Sequence, residues 1–324
     1  MADAELDLQR AYRLMLLART IDEREWMLNR QGKIPFVVSC QGQEATQVGI
    51  ALALRPGVDH VLPYYRDIGL VLALGMTPHE LFLNLFAKAD DPNSGGRQMP
   101  NHWAHPRLNI YSHSSPVATQ IPHAAGVALA SRIKGEDAVT LVTFGEGATS
   151  KGDFHEALNF AGIHQLPVIF ACENNRYAIS VPQVKQMAIK NVADRAAAYG
   201  MTGETVDGQD LVAAYEATRR AVERARAGNG PTLLEFKTYR LVPHTSDDDD
   251  RRYRAREEVA RWKERDPIGL FRDKLVAQGL WDEDRDQALR QELFDEVTQA
   301  QKAAEAAPDP TAEQALRHVF YEGA

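Results

Sequence analysis

The sequence predicts an α/β protein, a parallel sheet sandwiched between helices, folded as a single domain over residues 1–324 with a long active-site loop region and a helical C-terminal part. Two observations carry this. From residue 139 onward, short apolar runs of strand length alternate with segments of helical period, and no Pro/Gly/Ser-rich linker divides them. The run Val139-Thr140-Leu141-Val142-Thr143-Phe144 ends in Gly145-Glu146-Gly147, a helical pattern follows over 154–163, and a second apolar run over 167–172 ends at Asn174-Asn175. That succession is one strand–helix–strand crossover, the unit of a parallel sheet.

The elements are justified in chain order. Apolar residues recur at helical spacing over 6–27, 44–54, 67–74 and 78–87, and the last of these starts with Thr77 as cap and Pro78 in the first turn. Residues 90–122 are rich in Gly, Pro, Asn, His and Ser; a loop that long in a compact domain is usually functional or disordered. Residues 120–132 read as an apolar helix whose Ala and Gly positions permit close packing. After Gly147, Ser150 and Asp153 make a capping-box-like start to the helix over 154–163. Strand-like runs at 202–206 and 231–239 flank a helix over 211–227, and from residue 255 the chain is largely polar amphipathic helix. No internal repeat is visible.

Composition excludes several classes. With 324 residues, 44% of them hydrophobic and 25% charged, the chain buries a large core. No stretch approaches the roughly 20 apolar residues that cross a bilayer, and the start Met1-Ala2-Asp3-Ala4-Glu5 is acidic where a signal peptide is basic, so a cytoplasmic protein is expected. Cys40 and Cys172 are the two cysteines; neither a disulfide framework nor a zinc spacing follows from them. A net charge of −8 with no basic stripe argues against nucleic-acid binding.

Gly145-Glu146-Gly147 reads as a metal-diphosphate site. Glycines at a strand-to-helix handover let backbone amides approach phosphate oxygens, and the following helix N-terminus favours negative charge. Glu146 offers a hard oxygen ligand to the cation that accompanies a diphosphate, and the second strand delivers Asn174 and Asn175 to the same sheet edge. Alone, a Gly-x-Gly is as well explained by a tight turn.

The whole unit resembles the diphosphate-binding signature of thiamine-diphosphate enzymes. Gln41-Gly42-Gln43-Glu44-Ala45, Tyr65-Arg66-Asp67, Gly96-Arg97-Gln98-Met99-Pro100, the run from Ser114 to Pro122, and Asn174-Asn175-Arg176-Tyr177 are similar, in the same order, to the α subunit of the decarboxylating component of 2-oxo acid dehydrogenases. The Arg-Gln-Met-Pro and Ser-Pro-x-Ala-Thr-Gln-Ile-Pro segments resemble the branched-chain type most; Glu173 resembles the pyruvate type, since branched-chain members often place a diphosphate-contacting Arg there. The resemblance implies thiamine diphosphate as cofactor and Mg2+ held by Glu146, Asn175 and the carbonyl of Tyr177. It further implies contacts from Gly145, Gly147 and Ala148, phosphate binding by Tyr65 and Arg66, and an aminopyrimidine site at Ser115 and the Val117 backbone. Ser114, Thr119 and Gln120 match a K+ site of branched-chain members, although Ser and Thr before a helix are ordinarily caps.

His244 lies in Pro243-His244-Thr245-Ser246-Asp247-Asp248-Asp249-Asp250, which composition alone makes a solvated loop. The resemblance implies instead a loop that closes over the active site, with His244 reaching the cofactor and the reacting centre, and with Thr245 at a position phosphorylated in some relatives. His102 and His113 are weaker candidates; a histidine between Asn101 and Trp103 is also explained by a loop hydrogen bond. In the family a glutamate that protonates the aminopyrimidine comes from a second domain, and single chains holding both domains are far longer than this one. The resemblance therefore implies a β subunit, in an assembly of two α and two β chains, a lipoyl-bearing acyltransferase core, and a 2-oxo acid substrate. Acetoin as substrate remains an alternative, as does a non-catalytic assembly role, against which the retained Glu146, Asn175, Arg66 and His244 speak. A nicotinamide-binding reading fails on Ser150, where the third glycine of Gly-x-Gly-x-x-Gly belongs.

Overall fold

The computed structural model describes residues 6–317, so the acidic start at residues 1–5 lies outside the described residues. Helix α1 (Leu8–Arg30), capped by Asp7, leads into α2 (Glu44–Leu52). The short strand β1 (His60–Leu62) precedes α3 (Ile68–Leu74) and α4 (Pro78–Leu85). Thr77 and Glu80 form a reciprocal capping box on α4, with Pro78 in its first turn. Helix α5 (Gln120–Lys134) and strand β2 (Thr140–Gly145) follow, then α6 (Gly152–Ile163) and β3 (Val168–Asn174). A hairpin of β4 (Tyr177–Ala178) and β5 (Val181–Pro182) leads through α7 (Gln183–Gln186) to β6 (Thr202–Asp207), α8 (Leu211–Arg226) and β7 (Thr232–Lys237). The C-terminal part is helical: α9 (Arg256–Lys263), α10 (Pro267–Ala277) and α11 (Glu283–Glu305).

The five main strands form one parallel sheet in the order β1-β2-β3-β7-β6. Side chains alternate across it with a period of two. Leu141, Ile169, Ala171, Leu234 and Phe236 face a core shared with α1–α4, α8, α10 and α11. Val142, Phe144, Phe170, Cys172 and Leu233 face a second core against α5 and α6. Cys40 and Cys172 are both buried free thiols. Among the described residues no helix is long and apolar enough to cross a membrane.

The long loop over residues 90–122 packs against β1: Trp103 and Ile110 are buried, Ile110 bridges to both Val61 and His105, and residues 106–108 form a 3-10 turn. Two local expectations are corrected. Ser150 and Asp153 do not cap α6; a 3-10 turn, Glu146–Ser150, comes first, and Lys151 takes the cap position without a side-chain bond. Asn174 does not face the site, because the alternation of β3 turns it inward, where its Nδ2 donates to Glu235 and Gln183.

Candidate active site

The carboxyl ends of β2 and β3 open into a cavity of about 460 Å3. Tyr65, Arg66, Ser115, Val117, Gly145, Glu146, Gly147, Ala148, Asn175, Tyr177 and His244 all line it, together with Ser114, Gln120, Thr245 and both weaker candidates, His102 and His113. Thr119 does not. Its hydroxyl donates to the carbonyl of Pro116, as does that of Ser114, so neither acts as the helix cap that composition suggests.

The floor is built by three adjoining loops. Gly147 leaves the backbone room to pass the β4 hairpin, since a Cβ there would lie 2.8 Å from that of Ala178. A Cβ on Gly145 would meet no protein atom within 4 Å, so the glycine opens the cavity at that point. The amide of Asn175 donates to Glu146 Oε2 at 3.1 Å, and the amide of Tyr177 donates to Asn175 Oδ1 at 3.3 Å. These bonds fix the Glu146 carboxyl and the Asn175 amide side by side. Glu146 Oε1 is buried without a hydrogen-bond partner. Burial pushes this carboxyl up to about 7, against the pull of backbone amides and of Arg240 and Arg66. Among the described residues no cluster of three or more His, Cys, Asp or Glu could hold a metal. One carboxylate, one amide oxygen and one backbone carbonyl form a different set, of hard oxygens suited to Mg2+.

The wall is cationic. Arg66, 1% exposed, donates through Nη1 to the carbonyl of Ser39 and through Nη2 to His244, at 2.7 Å to Nδ1 and 2.8 Å to the carbonyl. A guanidinium only donates, so Nδ1 accepts and the neutral ring carries its proton on Nε2. Burial, then the charges of Arg66 and Arg240, lower His244 to about 3. The loop that carries it is tied down by hydrogen bonds. Asp248 accepts from the amide of His244 and from the Tyr253 hydroxyl, and Ser246 exchanges bonds with the backbone of Val37.

Sequence reasoning missed Arg240. It follows β7, lines the cavity, and is fully buried. Its only signal in the sequence is its place four residues before His244. Glu173, by contrast, does not line the cavity; it is fully buried, accepting from Gln47 and from the Tyr64 hydroxyl. Also in the lining, His102 and His113 stack at 4.9 Å. His102 bonds the Pro100 carbonyl through Nδ1, which fixes Nε2 as the acceptor of the Ser115 hydroxyl at 2.7 Å. Burial and the nearby His102 lower His113 to about 3.

The model of the family described as dehydrogenase E1 component matches residues 12–313 of this chain. The chain belongs to that family. It is 56% identical to the 2-oxoisovalerate dehydrogenase subunit alpha of Bacillus subtilis, over 95% of this chain and 94% of that one. It is 42% identical to the 3-methyl-2-oxobutanoate dehydrogenase subunit alpha of Mycobacterium tuberculosis, over 89% and 78%. Identity to the pyruvate dehydrogenase E1 component subunit alpha of Bacillus subtilis is 40%, over 93% and 78%. The E1 dehydrogenase family set out from the sequence motifs is thus the family of the chain, and its parallel-sheet α/β fold is the one described above.

Proposed function

We propose that this chain is the α subunit of the decarboxylating component of a branched-chain 2-oxo acid dehydrogenase, an oxidoreductase that passes the acyl group to a lipoyl carrier. The observation that carries the reading is the buried, partnerless Glu146 Oε1 beside Asn175, facing a wall that holds Arg66, Arg240 and His244. That arrangement suits a metal-bound diphosphate. In this reading Glu146, Asn175 and the Tyr177 carbonyl hold Mg2+, and Gly145, Gly147 and Ala148 give the diphosphate backbone room. Tyr65 and Arg66 bind its charge, and Ser115 and Val117 receive the aminopyrimidine. Ser114, Thr119 and Gln120, whose Oε1 also lacks a partner, are the proposed K+ ligands.

Bound thiamine diphosphate supplies an electron sink for loss of carbon dioxide from a 2-oxo acid. The chain's own residues orient and exclude water. Neutral His244 keeps a donor at Nε2 through the pH range of the cell, because Arg66 occupies Nδ1. It can therefore hold a hydrogen bond to an oxygen of the substrate, and it does not act as a general base from Nδ1. The apolar part of the lining, with Phe36, Val38, Ala118 and Ile179, would favour loss of a carboxylate held against it as a neutral molecule.

The partners in this reading are a β subunit, in an assembly of two α and two β chains, and a lipoyl-bearing acyltransferase core, all working in the cytoplasm. The branched-chain substrate rests on the greater identity to the branched-chain relatives; Glu173, which suggested pyruvate, lies outside the cavity. Calorimetric titration of thiamine diphosphate with Mg2+ into the chain, alone and with its β subunit, tests the reading. Binding that needs Mg2+ and the partner, and is lost in Glu146→Ala, is expected, together with faster turnover of 3-methyl-2-oxobutanoate than of pyruvate. Absence of binding in every combination would overturn it.

A further inference from the structure

Two guanidiniums stand in the cavity wall, and every acceptor they meet is uncharged. Arg66 donates to the Ser39 carbonyl and to His244. Arg240, fully buried, donates through Nε to Val242 O at 3.3 Å, through Nη1 to Tyr177 O at 3.4 Å, and through Nη2 to Ile179 O at 2.8 Å and the Tyr253 hydroxyl at 3.0 Å. Its Nη1 also lies 3.4 Å from His244 Nδ1. A buried charge without a counter-charge is expensive.

The carboxylates around the two guanidiniums do not pair with them: Asp248 stands one hydroxyl away from Arg240, accepting from the Tyr253 hydroxyl, and does not line the cavity. Glu146 shares the cavity, but it is one carboxyl against two guanidiniums, and its Oε2 accepts from the Asn175 amide and from neither arginine. Glu173 does not line the cavity and accepts from Gln47 and Tyr64. The wall therefore holds more positive than negative charge, and the surplus lies beside the Glu146–Asn175–Tyr177 floor.

We propose that Arg240 is a second binding cation for the diphosphate of the cofactor, acting through its charge on the phosphate end and joining the Tyr177–Ile179 turn to the His244 loop. This rests on the thiamine-diphosphate reading above. The five donors of Arg240 are already directed at protein oxygens and His244, so its contribution is electrostatic, and it grows with the charge of the ligand. A residue that only held the two loops together would affect charged and uncharged ligands alike.

The test measures dissociation constants of thiamine diphosphate, thiamine monophosphate and thiamine for the α–β assembly with Mg2+, in wild type, Arg240→Met and Arg240→Lys. The expected result for Arg240→Met is a loss of about 10- to 100-fold for the diphosphate, a smaller loss for the monophosphate and little change for thiamine. Arg240→Lys, which keeps the charge without the planar fan of donors, should retain most of the preference for diphosphate. Equal losses for all three ligands, or none, would overturn the proposal. Should the Met variant fail to assemble, the Lys variant decides: a retained diphosphate preference supports the charge role, and a preference lost in parallel with thiamine affinity refutes it. A wild type that binds all three alike would instead overturn the cofactor reading itself.

Discussion

Arg66 and His244 lie 178 positions apart, and one nitrogen, Arg66 Nη2, donates both to the ring Nδ1 and to the main-chain carbonyl of His244. The double bond sets the tautomer of the ring and clamps the loop at once. Replacing Arg66 by Met removes both, and hydrogen bonds from a charged donor are worth about 1.5–3 kcal/mol each. Amides of His244 and Ser246, bonded to Asp248 and Val37, should then exchange faster with solvent in the cofactor-free chain. The His244 pKa should rise from about 3, because a neighbouring positive charge is gone, while burial still holds it below an exposed histidine. Unchanged exchange in this loop would mean that Asp248 and Tyr253 suffice to hold it.

Trp103 reaches the same region from the loop before α5. Its indole Nε1 donates to the Tyr64 carbonyl at 3.1 Å, one residue before Tyr65 and two before Arg66. Trp103→Phe removes one of the two bonds to that carbonyl, which keeps the one from the Asp67 amide, and leaves the site under-filled. A loss of about 1–3 kcal/mol of stability is expected, read as a lower denaturant midpoint. Weaker cofactor binding should accompany it if Tyr65 and Arg66 shift.

Much of this arrangement was legible in the sequence, and the rest was hidden for stateable reasons. Strands β2 and β3 are apolar on both faces, as buried parallel strands are, so their runs stood out. Strand β1 is three residues long and leaves no period to read. The composition of residues 90–122 marked a long loop, but not that Trp103 and Ile110 are buried in it by partners far away in sequence. Asn174 and Asn175 looked equivalent, yet pleating separates neighbouring strand residues to opposite sides. Arg240 had no motif of its own to mark it, because its role depends on where β7 ends relative to β3.

Asp67 and Glu173 are fully buried, and each keeps one carboxyl oxygen, Asp67 Oδ1 and Glu173 Oε1, that no donor reaches; a proton shared between the two carboxyls would satisfy both. Burial is the largest cause that raises both, and the adjacent Glu173 charge raises Asp67 further. A carboxyl raised in the folded state contributes stability that is fully present below its unfolded pKa of about 4 and is lost as pH rises toward its folded pKa. Asp67→Asn places a permanent donor toward Glu173 and keeps an acceptor for Tyr64 N and Thr143 Oγ1. The melting temperature of Asp67→Asn relative to wild type should therefore increase from pH 5 to pH 8, by linkage of that one proton. A difference constant with pH would show that the pair does not share a proton.

Gly42 sits where the first motif of the chain meets the exit of β7. Its φ is +93°, a region that side chains disfavour, and a Cβ would lie 2.1 Å from the carbonyl oxygen of Tyr239 and 2.9 Å from the side chain of Leu241. Those two residues flank Arg240, and the Leu241 amide donates to the Gln41 carbonyl at 3.1 Å. Gly42→Ala combines backbone strain with a clash against main chain, so a loss of about 2–4 kcal/mol is expected. The strand exit must move for the methyl group to fit, and Arg240 moves with it. Diphosphate binding should fall along with stability. Gly126 provides the contrast within the same protein: it lies inside α5, exposed, with no atom within 4 Å of an added Cβ. Gly126→Ala should stabilise by about 0.5–1 kcal/mol through helix propensity and leave cofactor binding unaltered. If both substitutions lowered binding equally, the loss in Gly42→Ala could not be assigned to the position of Arg240.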